Sequence, residues 1–180
     1  MKGRAPDLAL AAALATLAAI LHAPALHFWF SYDDFWHFHH LLTHGPLELC
    51  CGPGFWRQFG AKGMFTPLLF ASLGADLAGF GLDARAFYLH QLAAFALCAA
   101  VLYGVLRMWL GRAPAAAGAF LFAVGPPTAS LVPLLMTRHY VEAVLLALLA
   151  VACFVRAARS GHQAWAIVSA AFYFAAALAK

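Results

Sequence analysis

Five long apolar runs, separated by short turns and by one extended polar stretch, organise this chain of 180 residues. The first run covers residues 8–30; it follows Lys2 and Arg4 and ends on Phe28-Trp29-Phe30. The others cover 86–110, 113–136, 140–155 and 164–180. A membrane-crossing helix needs about 20 mostly apolar residues, so each run is read as a crossing, the fourth and fifth being short. The aromatic end of the first run suits a belt at the membrane–water boundary. A cleaved signal peptide is the alternative there, because the basic start and Ala23-Pro24-Ala25 imitate such a leader; the aromatic continuation argues against it. Pro114 fits the first turn of the third run. Gly125-Pro126-Pro127 and Pro133 predict a break near 126–133, since proline lacks an N–H and clashes with the preceding turn.

Residues 31–85 read differently. They hold Asp33, Asp34, Glu48, Arg57, Lys62, Asp76, Asp83 and Arg85, and Gly52-Pro53-Gly54 interrupts any helix. Residues 66–82 are apolar but carry Pro67, Gly74, Asp76, Gly79 and Gly81, a pattern for a short interfacial helix rather than a crossing. Along 31–45, Asp33, His37, His40 and His44 fall at helical spacing on one stripe, with Phe35, Phe38 and Leu42 on the opposite one. That predicts an amphipathic helix lying on the membrane surface and stopping at Gly45-Pro46.

Composition narrows the class. Sixty-five per cent of the chain is apolar and 10% charged, against about 45–50% and about 25% in soluble domains. Such numbers exclude a disordered chain, a secreted disulfide scaffold and a nucleic-acid-binding domain. The four cysteines make no framework: Cys50 and Cys51 are adjacent, while Cys98 and Cys153 sit in apolar runs. The net charge of +4 comes from basic residues scattered between the runs. With five crossings, Lys2, Arg4, Arg107, Arg112, Arg156 and Arg159 all fall on one side, which is then cytoplasmic. The expected molecule is an all-α, multi-pass membrane protein with a single transmembrane domain of about five helices. Its N-terminus is cytoplasmic, and its first extracytoplasmic loop (31–85) carries amphipathic interfacial helices.

Asp33-Asp34, just outside the first run, is the densest candidate for chemistry. A carboxylate pair there acts as a general base on an acceptor hydroxyl, or holds a divalent cation, Mg or Mn, with His37 as a further ligand. The plainer reading is capping, because Ser31 followed three residues later by Asp34 resembles a capping box. A zinc site from His37, His40 and His44 lacks the HExxH pattern. Beyond the proline break, Arg138 offers a planar guanidinium suited to a lipid phosphate. Glu142 lies one turn into the fourth run and needs a partner, which Arg138 at i−4 supplies; an interfacial ion pair that merely ends a helix is the plain alternative. His22, His27, His90 and Gln91 are read as satisfying neighbouring helices.

These residues together resemble the N-terminal part of the polytopic glycosyltransferases of the GT-C fold, which include protein O-mannosyltransferases and aminoarabinose transferases. The resemblance covers the whole chain through short motifs in a fixed order. One crossing precedes a loop that opens with an acidic pair, Asp33-Asp34. Amphipathic juxtamembrane helices follow, then Thr66-Pro67-Leu68 where relatives carry a short proline motif. Arg138-His139-Tyr140 and Glu142 open the fourth crossing, and Leu178-Ala179-Lys180 closes the fifth. The aminoarabinose transferases have a lysine directly before their proline pair; here Thr66 stands there and Lys62 is offset. The resemblance implies transfer of a sugar from a polyprenyl-phosphate donor to an acceptor outside the cytoplasm, at a bacterial-type inner membrane. Asp33 or Asp34 would be the base, and Arg138, His139, Glu142, Lys180 and Lys62 the substrate contacts. It also implies that the chain is an N-terminal fragment, inactive alone. Two rivals from other classes are a transporter or channel fragment with a proline-broken helix, and a small structural membrane protein.

Overall fold

The computed structural model describes residues 4–60 and 65–179, so Lys62 and Lys180 lie outside the described residues. The described chain is all-helical. Helix α1 (Arg4–His22) passes into a 3-10 turn (Ala23–His27), where Pro24 removes a helical donor, and the backbone is extended from Phe28. The α-helix thus stops short of the aromatic belt that closes the first apolar run. Four helices of moderate length follow: α2 (Asp34–Thr43), α3 (Pro46–Cys51), α4 (Pro53–Gly60) and α5 (Pro67–Phe80). The rest of the chain forms α6 (Ala84–Leu106), α7 (Arg112–Val124), α8 (Pro126–Leu131), a 3-10 turn (Leu135–Thr137), α9 (Arg138–Ser160) and α10 (Gln163–Ala179).

Three helical stretches are long and apolar enough to cross a membrane: Ala5–His27, Ala84–Leu106 and Leu135–Ser160. Their windows are only 17%, 39% and 22% buried within the protein. Large apolar side chains face outward instead, among them Leu8, Ile20, Ile167, Tyr173 and Phe174. A soluble protein of this size does not expose such continuous apolar surface, so the chain has the character of an integral membrane protein. The third apolar run forms no single long helix. Helix α7 ends at Val124, Gly125 is extended, and Pro126 opens α8. Helix α10 is apolar and 17 residues long, about 25 Å at the helical rise.

Packing between the long helices uses small residues. Ala18 on α1, Ala99 on α6, and Ala115, Ala119 and Ala123 on α7 have no exposed surface. Small side chains bring helix backbones close, which stabilises contacts where lipid supplies no hydrophobic drive. At Gly118 a Cβ would meet Leu106 Cδ1 at 2.8 Å. Helices α9 and α10 form an antiparallel hairpin around Gly161, whose φ of +71° caps α9 in the left-handed region. Ser169 donates across that hairpin to the Ala150 carbonyl at 2.8 Å.

The two ends of the bundle differ in chemistry. At one end Asp7 accepts from Tyr103 Oη at 2.8 Å and from Arg107 Nε and Arg112 Nε, each at 3.0 Å. Arg159 donates to the Met108 carbonyl at 2.7 Å, which joins α9 to the same end. At the other end, an aromatic core of Phe30, Phe38 and Phe87, with ring centroids 4.5–5.4 Å apart, anchors α2 to α6. Aromatic pairs at such distances add about 0.5–1.5 kcal/mol beyond burial.

Helix α2 turns a different face inward from the one its pattern suggests. Asp34, His37 and Phe38 are buried and Leu41 is half-buried, whereas Phe35, Trp36 and Leu42 are exposed. Positions 34, 37, 38 and 41 form the i, i+3, i+4, i+7 stripe that packs on the rest of the protein. Phe38 enters the aromatic core and His37 lies 5.6 Å from Phe70 on α5. The histidine stripe and the Phe35/Phe38/Leu42 stripe are therefore each split between core and exterior.

Candidate functional site: a buried arginine network beside an acidic pair

Asp33 and Asp34 adopt opposite settings. Asp33 is the exposed residue before α2; its carbonyl accepts from His37 N at 3.0 Å and from His37 Nδ1 at 2.7 Å. Asp34 is 3% exposed, and its Oδ2 accepts from the Ser31 backbone N–H at 2.9 Å. With the Asp34 N–H donating to the Ser31 carbonyl at 3.0 Å, this closes a turn ahead of α2; the residue that precedes the helix is Asp33, whose side chain makes no cap, so the capping box expected from Ser31 and Asp34 does not form. Tyr32, between them, takes a positive φ of 50°, which lets the chain fold back over the helix start. Burial pushes the Asp34 carboxyl above the ordinary range; the N–H groups of Ser31 and Met136 and the charge of Arg138 oppose this. The start of α2 thus meets the turn that leads into α9.

Arg138, the first residue of α9, has no exposed surface. Its Nη1 lies 2.5 Å from Asp76 Oδ2 and 3.3 Å from Ser72 Oγ, both on α5. Its Nη2 donates to the Phe87 carbonyl on α6 at 2.6 Å, and the guanidinium sits 5.5 Å from the Phe87 ring. His90 Nδ1 donates to both Asp76 oxygens, at 2.9 and 3.0 Å. Burial alone would raise the Asp76 carboxyl. The hydrogen bond from His90 and the charge and hydrogen bond of Arg138 outweigh it and hold the group below the usual carboxylate range.

Glu142 is not the carboxylate that pairs with Arg138. It accepts a hydrogen bond from Ser72 Oγ instead, and the ion pair of Arg138 is with Asp76. The i−4 expectation fails because α5 approaches the start of α9 and supplies a nearer carboxylate. Among the described residues, Glu142 Oε2 and Arg138 Nε are buried without a hydrogen-bond partner.

The segment after the proline break is stitched to α6. Gln91 Nε2 donates to the carbonyls of Val132 at 2.7 Å and Leu134 at 3.0 Å. Thr137 Oγ1 donates to Leu131 and Leu134 at 2.7 and 2.6 Å. His139 is buried, with Nδ1 3.0 Å from the Met136 carbonyl and its ring 4.0 Å from Tyr140. His22 Nε2 lies 3.2 Å from the Ala123 carbonyl. His22, His90 and Gln91 each bond to a neighbouring segment.

The arrangement corrects the picture of the site in two respects. Asp33, Asp34 and His37 do not converge as metal ligands, because Asp34 turns to backbone N–H groups and His37 Nδ1 to a carbonyl. Among the described residues no group of three or more His, Cys, Asp or Glu side chains is arranged to hold a metal ion. The Arg138 guanidinium is enclosed by protein groups, a different setting from an open phosphate contact. Sequence reasoning missed Ser72 and Asp76 as partners of Arg138. The available signal was Asp76 itself, a lone carboxylate in an otherwise apolar run, where a charge needs a partner.

No family model, curated protein or solved structure matches the chain.

Proposed function

We propose that this chain is the membrane-embedded N-terminal part of a glycosyltransferase that moves a sugar from a polyprenyl-phosphate donor to an extracytoplasmic acceptor. One observation carries the reading: an acidic pair at the exit of the first long helix is split into an exposed and an anchored member. Asp34 is tied to backbone N–H groups beside Arg138, and this leaves Asp33 facing outward. In this reading Asp33 takes the proton from the acceptor hydroxyl as the glycosidic bond to the phosphate breaks. Asp34 and Arg138 keep the start of α2 in place, and any direct contact of Arg138, His139 or Glu142 with the donor requires the network to open.

The proposed topology has five crossings, with α7–α8 and α10 as the third and fifth and the N-terminus in the cytoplasm of a bacterial-type cell. Support comes from the end of the bundle where Asp7, Arg107, Arg112 and Arg159 meet. The basic residues of separate turns share that end, as a cytoplasmic face requires.

The test measures sugar transfer in membranes that carry the protein as its host makes it, with a panel of labelled polyprenyl-phosphate sugars. Removing a general base costs about 10²–10⁴-fold in rate. Asp33→Asn is expected to fall in that range, and unchanged transfer by both Asp33→Asn and Asp34→Asn would refute the assignment. A transporter fragment is favoured by one feature, the buried Asp76–Arg138–Ser72–Glu142 chain between helices, a kind of group that often marks ion pathways. Ion-coupled uptake abolished by Glu142→Gln, with no sugar transfer, would select it.

A further inference from the structure

The basic end of the bundle has charge left over after its clasp with Asp7. Arg107 Nε and Arg112 Nε share that single carboxylate, each at 3.0 Å. Arg107 Nη1 also donates to the Leu110 carbonyl at 2.6 Å, which ties the α6–α7 turn to itself. From α9, Arg159 reaches across to the same turn and donates from Nη2 to the Met108 carbonyl at 2.7 Å. Arg156, three residues earlier on the same face of α9, lies 4.3 Å over the Trp165 ring of α10. Arg156 and Arg159 are exposed, and among the described residues neither pairs with a carboxylate: one rests on a ring, the other on a carbonyl. The opposite end is mixed in sign, with exposed Arg57 and Arg85 accompanied by exposed Asp33, Glu48 and Asp83.

We propose that the α6–α7 turn and the end of α9 form a binding site for the phosphate of an anionic phospholipid, with Arg156 and Arg159 holding it and Arg107 and Arg112 adding to the positive field. Depth is the first argument. Trp109 and Leu110 are exposed in the same turn, and an indole at the end of a crossing sits at the level of the lipid head groups. The arginines are thereby placed where lipid phosphates lie. Chemistry is the second. A guanidinium is weakly hydrated and binds phosphate through paired N–H groups. The Trp165 ring and the Met108 carbonyl already order the two side chains, so little side-chain freedom is lost on binding. The third is that Arg159 joins the α6–α7 turn to the α9–α10 hairpin, so a phosphate held there bridges two helix pairs. The site needs only this end at a membrane surface, on either side, and stands whether or not the chain transfers sugar.

The test titrates the protein in a mild detergent with tail-labelled phosphatidylglycerol and, separately, phosphatidylcholine, and reads binding by fluorescence anisotropy. Phosphatidylglycerol is expected to bind roughly 25-fold more tightly, at about fivefold per contacting arginine. About 0.5 M salt should shrink that preference severalfold. Arg156→Gln/Arg159→Gln should bring the two lipids within about twofold, while Arg57→Gln/Arg85→Gln keeps the wild-type preference. If the first double variant does not fold, Arg156→Gln alone, which gives up only a ring contact, should lose about fivefold. Equal binding of the two lipids by the wild type, or an undiminished preference in the Arg156 variants, would overturn the site. Displacement of the labelled lipid by an equal concentration of glycerol 3-phosphate would overturn it as well, since the ligand would then be a free phosphate rather than a lipid.

Discussion

Removing the Asp76 carboxylate strands the Arg138 guanidinium. Arg138 has no exposed surface, and its Nη1 lies 2.5 Å from Asp76; in Asp76→Ala the guanidinium loses its ion pair and keeps hydrogen bonds to the Phe87 carbonyl and the Ser72 hydroxyl. Breaking a buried pair by deleting one partner costs about 3–5 kcal/mol, mainly the desolvation of the charge left behind. For a chain of this length that corresponds to a fall in Tm of about 10 °C. The assay heats the protein in a mild detergent with a thiol-reactive dye, in a Cys50→Ser/Cys51→Ser background. The remaining thiols, Cys98 and Cys153, are buried, so dye uptake reports unfolding. If the cost is stranded charge, Asp76→Leu/Arg138→Met regains about 2 kcal/mol or more over Asp76→Ala, because replacing a buried pair by apolar groups is often neutral. A Tm within a degree or two of wild type for Asp76→Ala, or a double variant no better than the single one, would refute the reasoning.

Three further outcomes are expected. Gly161→Ala should cost about 1 kcal/mol in the same melt, because its φ of +71° suits glycine and the site is otherwise open. Single cysteines at Gly45 and Gly111, positions with room for a Cβ, should react with a membrane-impermeant maleimide from opposite faces of sealed vesicles; labelling from one face would sink the proposed topology. Acidification should weaken the packing of α2. The His37 imidazole is held below its ordinary value by burial, so its contribution is fully present above about pH 6.5 and lost as pH falls through the lowered value. Protection factors over α2, taken relative to the intrinsic exchange rate at each pH, should therefore fall in mild acid, and values flat with pH would contradict this.

The apolar runs made the long helices legible, and Gly125-Pro126 marked where α7 stops; the stop of α1 at His22 was not read, because the apolar run continues past Pro24 to Phe30. Ser31 and Asp34 do bond to each other, but as a turn ahead of α2 rather than as the capping box that their spacing suggested. Two features were hidden for physical reasons. On a helix whose exterior is itself partly apolar, hydrophobicity does not separate core from exterior, so Phe35 and Phe38 looked alike while only Phe38 is buried. The partner of Arg138 lies 62 residues away in sequence, and the i, i+4 rule points to Glu142 instead. Asp76 needed the packing of α5 against α9 to acquire its role.

The clasp at the opposite end has a consequence for synthesis. Asp7 leaves the ribosome well before its partners: Arg107 follows it by 100 residues and Arg112 by 105. At about 5–20 residues per second, Asp7 waits roughly 5–20 s for those cations. During that interval the nearest basic residues along the chain are Lys2 and Arg4, whose charge it partly cancels. The clasp that fixes the start of α1 is therefore a late product of synthesis, completed only when the α6–α7 turn arrives.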